Sequence, residues 1–420
     1  MNILDISAIL ITLAALFAYI NHRYIKLPIT IGIMLISLVL SLLMIGVGQF
    51  FPALIVEAEE FVGSIDFNKA LMNFMLSFLL FAGALHVNLN ELKKQWRIVA
   101  VMATIGVTIT TFAVGTIAYY LFNALGIEIA YSWCLVFGAL IAPTDPVAVL
   151  GILKTAGAPK SLETKITGES LFNDGVGVVI YLVLVGIAVS GVGNVTVGSV
   201  AHDFLVEAGG GIALGLILGF ACYKLLKSID NYHVEVLLTL ALVTGGYRLA
   251  MSYHFSGPLA MVVAGLMIGN HARENAMSAR TRSQIDTFWE LIDEILNALL
   301  FLLIGLEIFI LDFSTPVLIA GFILIPISIL VRFISTSIPV TILSKYREFT
   351  PGVIKILTWG GIRGGISVAL ALAIPKSAGE AREYILLATY IIVIFSIAVQ
   401  GLTLKGLIAS CLNKKGEVTK

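Results

Sequence analysis

The chain has 420 residues, 59% of them hydrophobic and 12% charged, against roughly 45–50% apolar and about 25% charged in an ordinary soluble domain, which excludes a soluble globule. Twenty-six Lys and Arg balance twenty-six Asp and Glu with no basic block, which excludes a nucleic-acid-binding surface. Cys134, Cys222 and Cys411 lie in apolar stretches without CxxC or CxxH spacing, so disulfides and structural zinc are not expected either.

A bilayer core about 30 Å thick takes roughly 20 apolar residues of helix. Cut on that scale, the sequence divides into thirteen apolar runs: 3–20, 27–50, 70–87, 98–122, 130–153, 166–190, 205–226, 234–251, 257–271, 288–310, 316–342, 353–375 and 383–409. The expected fold is an all-α membrane protein of thirteen transmembrane helices. The first run lacks a basic segment before it, and Arg23 and Lys26 follow it, so it reads as a span and not a signal peptide. The connections are short, leaving no room for a soluble catalytic domain, and no soluble protein partner is implied; the surrounding lipid is the expected partner.

Basic residues set the orientation. Alternate connections hold Arg23 and Lys26; Lys93, Lys94 and Arg97; Lys154, Lys160 and Lys165; Lys224 and Lys227; Arg273, Arg280 and Arg282; Lys345, Arg347 and Lys355; and Lys405, Lys414, Lys415 and Lys420, twenty in all. The opposite set holds four, Lys69, Arg248, Lys376 and Arg382, together with Glu57, Glu59, Glu60 and Asp66. The expectation is a cell-membrane protein with its N-terminus outside and its C-terminus in the cytoplasm.

Ionisable groups at bilayer depth are costly and mark function. Span five reads FGALIAPTDPVAVLGIL, with Pro143 and Pro146 bracketing Thr144 and Asp145; two prolines three apart break the helix, and broken backbone in lipid needs a cavity or protein cover. Span six opens TGESLFNDGVGVV. At about 100° per residue, Glu169, Asn173, Ser170 and Asp174 fall within an arc of roughly 140°, so four polar side chains share one face, and Asp174 lies about 12 Å into the span. Two carboxylates there exceed what helix packing requires. Glu290, Asp293 and Glu294 lie near the start of span ten, with Arg280 and Arg282 nearby, and read as a cytoplasmic funnel, a pH-sensitive cluster or a plain solvated helix entrance. Span eleven carries Arg332, for which the sequence names no partner. Span twelve reads ILTWGGIRGGISVALAL, with Arg363, about 15 Å in, flanked by four glycines that permit close backbone approach. Glu169 is the expected counter-ion of Arg363.

Spans five and twelve are seven apart, so the two interrupted helices run in opposite directions. That is the pattern of inverted repeats, spans one to six and eight to thirteen, with two crossed discontinuous helices and a linking helix at about 205–226. Asp145 would offset the positive helix ends brought together at the crossing. The symmetry argues for alternating access and hence a transporter.

TDP in span five, ESLFNDG in span six, FWELIDEILNALLFLLIGLE in span ten and GGIRGGIS in span twelve, in this order, resemble the cation/proton antiporter-1 family, the sodium/proton antiporters of NhaP and NHE type. The resemblance covers nearly the whole chain. It implies a homodimer with a scaffold of about 1–90 and 234–310 and a mobile core of about 98–190 and 316–411. It also implies that Asp174 binds either a proton or Na⁺, with Ser170 and Thr144 as further oxygen ligands. Asn173 stands where electrogenic relatives carry a second Asp, which implies electroneutral exchange. Glu169 with Arg363 would be the structural ion pair and Asp145 the charge at the crossing. In span three the sequence departs from the pattern: FAGAL, with Ala82, replaces a stretch in which many relatives carry Glu, a departure that argues against a role for a span-three carboxylate in the ion path. His86 nearby reads as an interfacial residue.

The implied chemistry is competition without a cofactor. A desolvated carboxylate is neutralised by either a proton or a cation, and Na⁺ prefers oxygen ligands. If only loaded forms cross, exchange is obligatory, and pH homeostasis is the expected role. Oxygen ligands do not separate Na⁺ from Li⁺ or K⁺, so K⁺/H⁺ exchange is the alternative; a cation channel is a different class, for which no filter-like repeat is found. The histidines fall in connections or near span ends and there is no GxSxG or HExxH, which argues against an enzyme.

Overall fold

A computed structural model of the chain describes residues 3–48, 50–51, 56, 61–63, 75–191, 197–311, 313–345 and 349–413. Of the residues singled out above, Glu57, Glu59, Glu60, Asp66, Lys69, Arg347, Lys414, Lys415 and Lys420, together with the start of the third run, lie outside them, as does the side chain of Lys154. Among the described residues every regular element is helical.

In chain order the helices are α1 (Ile3–Ile20), α2 (Ile29–Gly48), α3 (Leu76–Leu85), α4 (Leu89–Ala124), α5 (Tyr131–Ile141), α6 (Val147–Thr155), α7 (Lys160–Ser190), α8 (Val197–Lys227), α9 (Tyr232–Ser252), α10 (Gly257–Met267), α11 (Ala279–Leu306), α12 (Thr315–Leu343), α13 (Val353–Trp359), α14 (Gly365–Leu372) and α15 (Glu380–Leu412). Eight described helices are long and apolar enough to cross a membrane, while α3 and α5 are shorter apolar helices. The chain is therefore a multi-pass membrane protein.

Several helices begin well before the apolar run that marks them. α4 starts nine residues ahead of its run because the Asn88 side chain accepts hydrogen bonds from the backbone N–H of Asn90 (2.9 Å) and Glu91 (3.2 Å), capping the first turn. α11 starts likewise at Ala279, where the Ser278 hydroxyl accepts from Thr281 N–H at 3.3 Å. Hydropathy marks the lipid-embedded length; polar caps mark where the helix begins. Lys93, Lys94 and Arg97 thus stand on a helix and not in a loop.

Small residues set the close packing. A methyl group on Gly138 of α5 would collide with the Thr111 carbonyl of α4, and one on Gly269, after α10, with the Leu85 carbonyl at the end of α3. Ser37 of α2 donates to the Leu302 carbonyl of α11 at 3.0 Å. Trp289 of α11 lies against Phe78 and Phe81 of α3 and donates through Nε1 to Thr239 of α9 at 3.1 Å. α12, which carries Pro326 and Pro339 within it, packs on α4 and α15. Cys134 and Cys222 are buried and all three cysteines are free.

Candidate functional site

Two helices stop in the interior and restart. α5 ends at Ile141 and α6 begins at Val147; α13 ends at Trp359 and α14 begins at Gly365. The causes are local: Pro143 and Pro146 remove two backbone donors, while four glycines around Arg363 weaken helix propensity. The breaks meet, because Asp145 N–H donates to the Ile362 carbonyl at 2.8 Å. Gly364 is required at this meeting point, since a methyl there would run into the Asp145 carboxylate.

The charges at the breaks match the helix ends. Asp145 stands two residues ahead of α6, and its carboxylate packs against Gly364, the N-terminal cap of α14, so one negative charge faces two positive helix N-termini. Arg363 does the converse: its Nη1 donates to the carbonyls of Ala142 (2.8 Å) and Pro143 (2.9 Å), at the C-terminal end of α5. The backbone N–H of Arg363 is held by Ser396 Oγ at 2.9 Å, and Ser396 in turn donates to Gln400, both on a π-helical turn within α15. Groups that a break would strand in lipid are thereby partnered.

α7 carries its polar face against the first break. Gly177 makes this possible, because a methyl there would overlap the Pro143 ring. Thr144 is the junction: its N–H donates to Asn173 Oδ1 (3.3 Å), its hydroxyl accepts from Asn173 Nδ2 (2.9 Å), and the same hydroxyl lies 3.0 Å from Ser170 Oγ. Asp174 follows, 3% exposed, with the charge of Asp145 within electrostatic range. Thr144, Ser170 and Asn173 are therefore joined directly, and Asp145 and Asp174 complete an oxygen-rich cluster of two carboxylates, two hydroxyls and an amide.

The structure changes the expected ion pair. Glu169, 1% exposed, faces Arg332 of α12, not Arg363: Nη1 donates to Oε1 at 2.5 Å and Nη2 to Oε2 at 2.8 Å, the bidentate geometry of a strong arginine–carboxylate pair. Arg363 is occupied by backbone carbonyls of the first break, a partner the sequence could not reveal because side-chain inventories do not show which carbonyls a proline pair leaves open. Arg332, for which the sequence named no partner, is thus the residue that ties α12 to α7.

The span-ten acids are spread out. Glu290 and Glu294 are exposed, whereas Asp293 is half-buried within electrostatic range of Asp145, with Asn297 one turn further along the same face. Ala82 is buried, and the exposed His86 has Nδ1 2.8 Å from the Ala82 carbonyl. Sequence reasoning missed Thr336 and Thr358, whose hydroxyls are 3.1 Å apart beside Arg332, and also Ser396 and Gln400 behind Arg363. Polar residues at i and i+4 inside the last apolar run were the available signal.

A multi-pass helical membrane protein with buried carboxylates, hydroxyls and a bidentate ion pair gathered around two helix breaks is built to handle ions within the bilayer. The chain belongs to the sodium/hydrogen exchanger family: the model for "Sodium/hydrogen exchanger, transmembrane" matches residues 11–409. It is a family of transporters. The chain is 49% identical over 410 residues to the Na⁺/H⁺ antiporter NhaP of Pseudomonas aeruginosa, covering 96% of each chain. It is 34% identical over 390 residues to the Na⁺/H⁺ antiporter NhaH of Halobacillus dabanensis, covering 92% of each. Its fold matches the solved sodium proton antiporter MjNhaP1 of Methanocaldococcus jannaschii with a TM-score of 0.75 at 21% identity, over 96% of this chain and 97% of that one.

Proposed function

We propose that this chain is an electroneutral Na⁺/H⁺ antiporter, which also accepts Li⁺, working by alternating access in the cell membrane. Asp174 takes either a proton or Na⁺. Ser170, one helical turn earlier on the same face, and Thr144, at the break, supply hydroxyl oxygens to the cation. The observation that carries this reading is the buried junction of Thr144, Ser170 and Asn173 beside Asp174, a carboxylate that one proton or one cation neutralises. Asn173 holds Thr144 in place and contributes no charge, so one proton exchanges for one cation.

In this reading the chain crosses thirteen times, N-terminus outside and C-terminus in the cytoplasm, in inverted repeats with the interrupted helices of spans five and twelve crossed. It forms a homodimer through a scaffold of about 1–90 and 234–310, against which a core of about 98–190 and 316–411 moves. Asp145 and Arg363 stay with the core, neutralising the helix ends, and Glu169 with Arg332 holds its helices together. The acids Glu290, Asp293 and Glu294 line the approach. Moving an empty, charged Asp174 through the bilayer is costly, so only the loaded forms cross.

The test is fluorescence dequenching in proteoliposomes carrying a proton gradient. Wild-type protein is expected to release protons on addition of Na⁺ or Li⁺ and not K⁺, and Asp174→Asn to lose that response. Full Na⁺-dependent flux in Asp174→Asn would refute the role of Asp174, and a response to K⁺ alone would reassign the substrate.

A further inference from the structure

Behind the second helix break lies a cavity of about 10 Å³, lined among others by Ser328, Arg332, Thr358, Gly361, Arg363 and Gln400. It has room for one water-sized particle. Its polar lining is unusual in sign: both charged residues are arginines, 5% and 3% exposed. The acids of the region are elsewhere. Glu169 is bound by the two terminal nitrogens of Arg332, and Asp145 packs against Gly364; neither lines the cavity.

The donors are in surplus as well. Arg332 Nε is buried with no hydrogen-bond partner, and it faces Gly361 of the cavity wall, where a methyl group would stand 2.7 Å from it. Arg363 uses Nη1 on the carbonyls of Ala142 and Pro143, which leaves its Nε and Nη2 without hydrogen bonds among the described residues. The hydroxyl of Ser328 already donates to the Ile325 carbonyl of its own helix at 2.7 Å, and the Thr358 hydroxyl is engaged with Thr336. A buried guanidinium N–H left without an acceptor is costly, and with Arg332 already paired to Glu169 it is the charge of Arg363, bonded to backbone carbonyls, that favours a negative occupant over a neutral one.

We propose that this cavity binds a single small monovalent anion, of the chloride class, between Arg332 and Arg363. The anion accepts from Arg332 Nε and from the remaining nitrogens of Arg363, offsetting a guanidinium whose hydrogen bonds go to backbone carbonyls. It is distinct from the proposed cation site: it is lined by α12, the break between α13 and α14, and α15, and it fastens these three together.

The experiment uses full-length protein in detergent at constant ionic strength, unfolded by heat in chloride, bromide, gluconate or sulfate. Chloride and bromide are expected to raise the unfolding midpoint saturably, with gluconate and sulfate, too large for the void, giving the baseline. At ten times the dissociation constant the folded-to-unfolded ratio rises about 11-fold. Ser328→Leu fills the cavity while leaving both arginines in the chain, and should abolish the halide dependence. In wild-type crystals grown in bromide, an anomalous peak is expected between the two guanidinium groups, and this measurement stands even if Ser328→Leu does not fold. Equal midpoints in chloride and gluconate, or density in the cavity with no anomalous signal, overturns the proposal in favour of an ordered water.

Discussion

Glu169 and Arg332 offer the sharpest test of the architecture, because the same carboxylate has two candidate arginines. Both partners are at least 94% withdrawn from solvent as side chains, and they share two hydrogen bonds. Removing one member leaves a buried charge without its counter-ion, which costs about 3–5 kcal/mol, or roughly two to four powers of ten in the folded-to-unfolded ratio. Arg332→Met and Glu169→Gln are each expected to lower the thermal midpoint and the yield of monodisperse protein severely. The double variant removes both charges and should recover much of the loss, giving a coupling energy of about 2–3 kcal/mol in a double-mutant cycle. Arg363→Met combined with Glu169→Gln should instead give losses that nearly add, since Arg363 bonds backbone carbonyls. Strong coupling of Glu169 to Arg363 with none to Arg332 would refute the assignment.

At the proposed cation site, Thr144→Val keeps the side-chain shape but removes the hydroxyl shared by Ser170 and Asn173; the apparent KM for Na⁺ is expected to rise about 5–10-fold, on the scale of one or two hydrogen bonds. An unchanged KM would remove Thr144 from the ligand set. One-for-one competition predicts that the logarithm of the apparent KM for Na⁺ rises by at most one per unit fall in pH, and a slope near two would mean that two protons compete. Clamping the membrane potential should leave the wild-type exchange rate unaltered, and a strong voltage dependence would contradict the inference of electroneutral exchange drawn from Asn173. Gly364→Ala places a methyl against the Asp145 carboxylate, and a loss of about 1–3 kcal/mol or more is expected from overpacking; a wild-type midpoint would show that the two breaks have room to separate.

Much of this was readable in the residues. Prolines bracketing Thr144 and Asp145, and glycines around Arg363, mark helix interruptions by backbone chemistry alone, and the helical arc of Glu169, Ser170, Asn173 and Asp174 follows from periodicity. What could not be read is which face of one helix meets which face of another. Arg332 and Arg363 are equally anomalous as residues in apolar runs, and only the folded arrangement, which sets Arg332 of α12 opposite Glu169 of α7, decides that Glu169 meets the first. The Asn88 and Ser278 caps were legible but were overshadowed by hydropathy, which locates lipid and not helix ends. Ser396 and Gln400 look like ordinary polar residues in a span until the second break is seen to lean on them.

The bond between the two breaks bears on how the protein is made. Arg363 follows Ala142 by 221 residues, and at about 5–20 residues per second that interval is on the order of 10–45 s of synthesis. Throughout it the carbonyls of Ala142 and Pro143 and the N–H of Asp145 have no final partners, so the first interrupted helix cannot reach its native seat when it leaves the ribosome. It has to be held in a wet or protein-covered setting until the second arrives. Assembly of this half of the molecule is therefore a late, joint event, and a chain truncated before residue 360 should be cleared by membrane quality control even though every earlier helix has been synthesised.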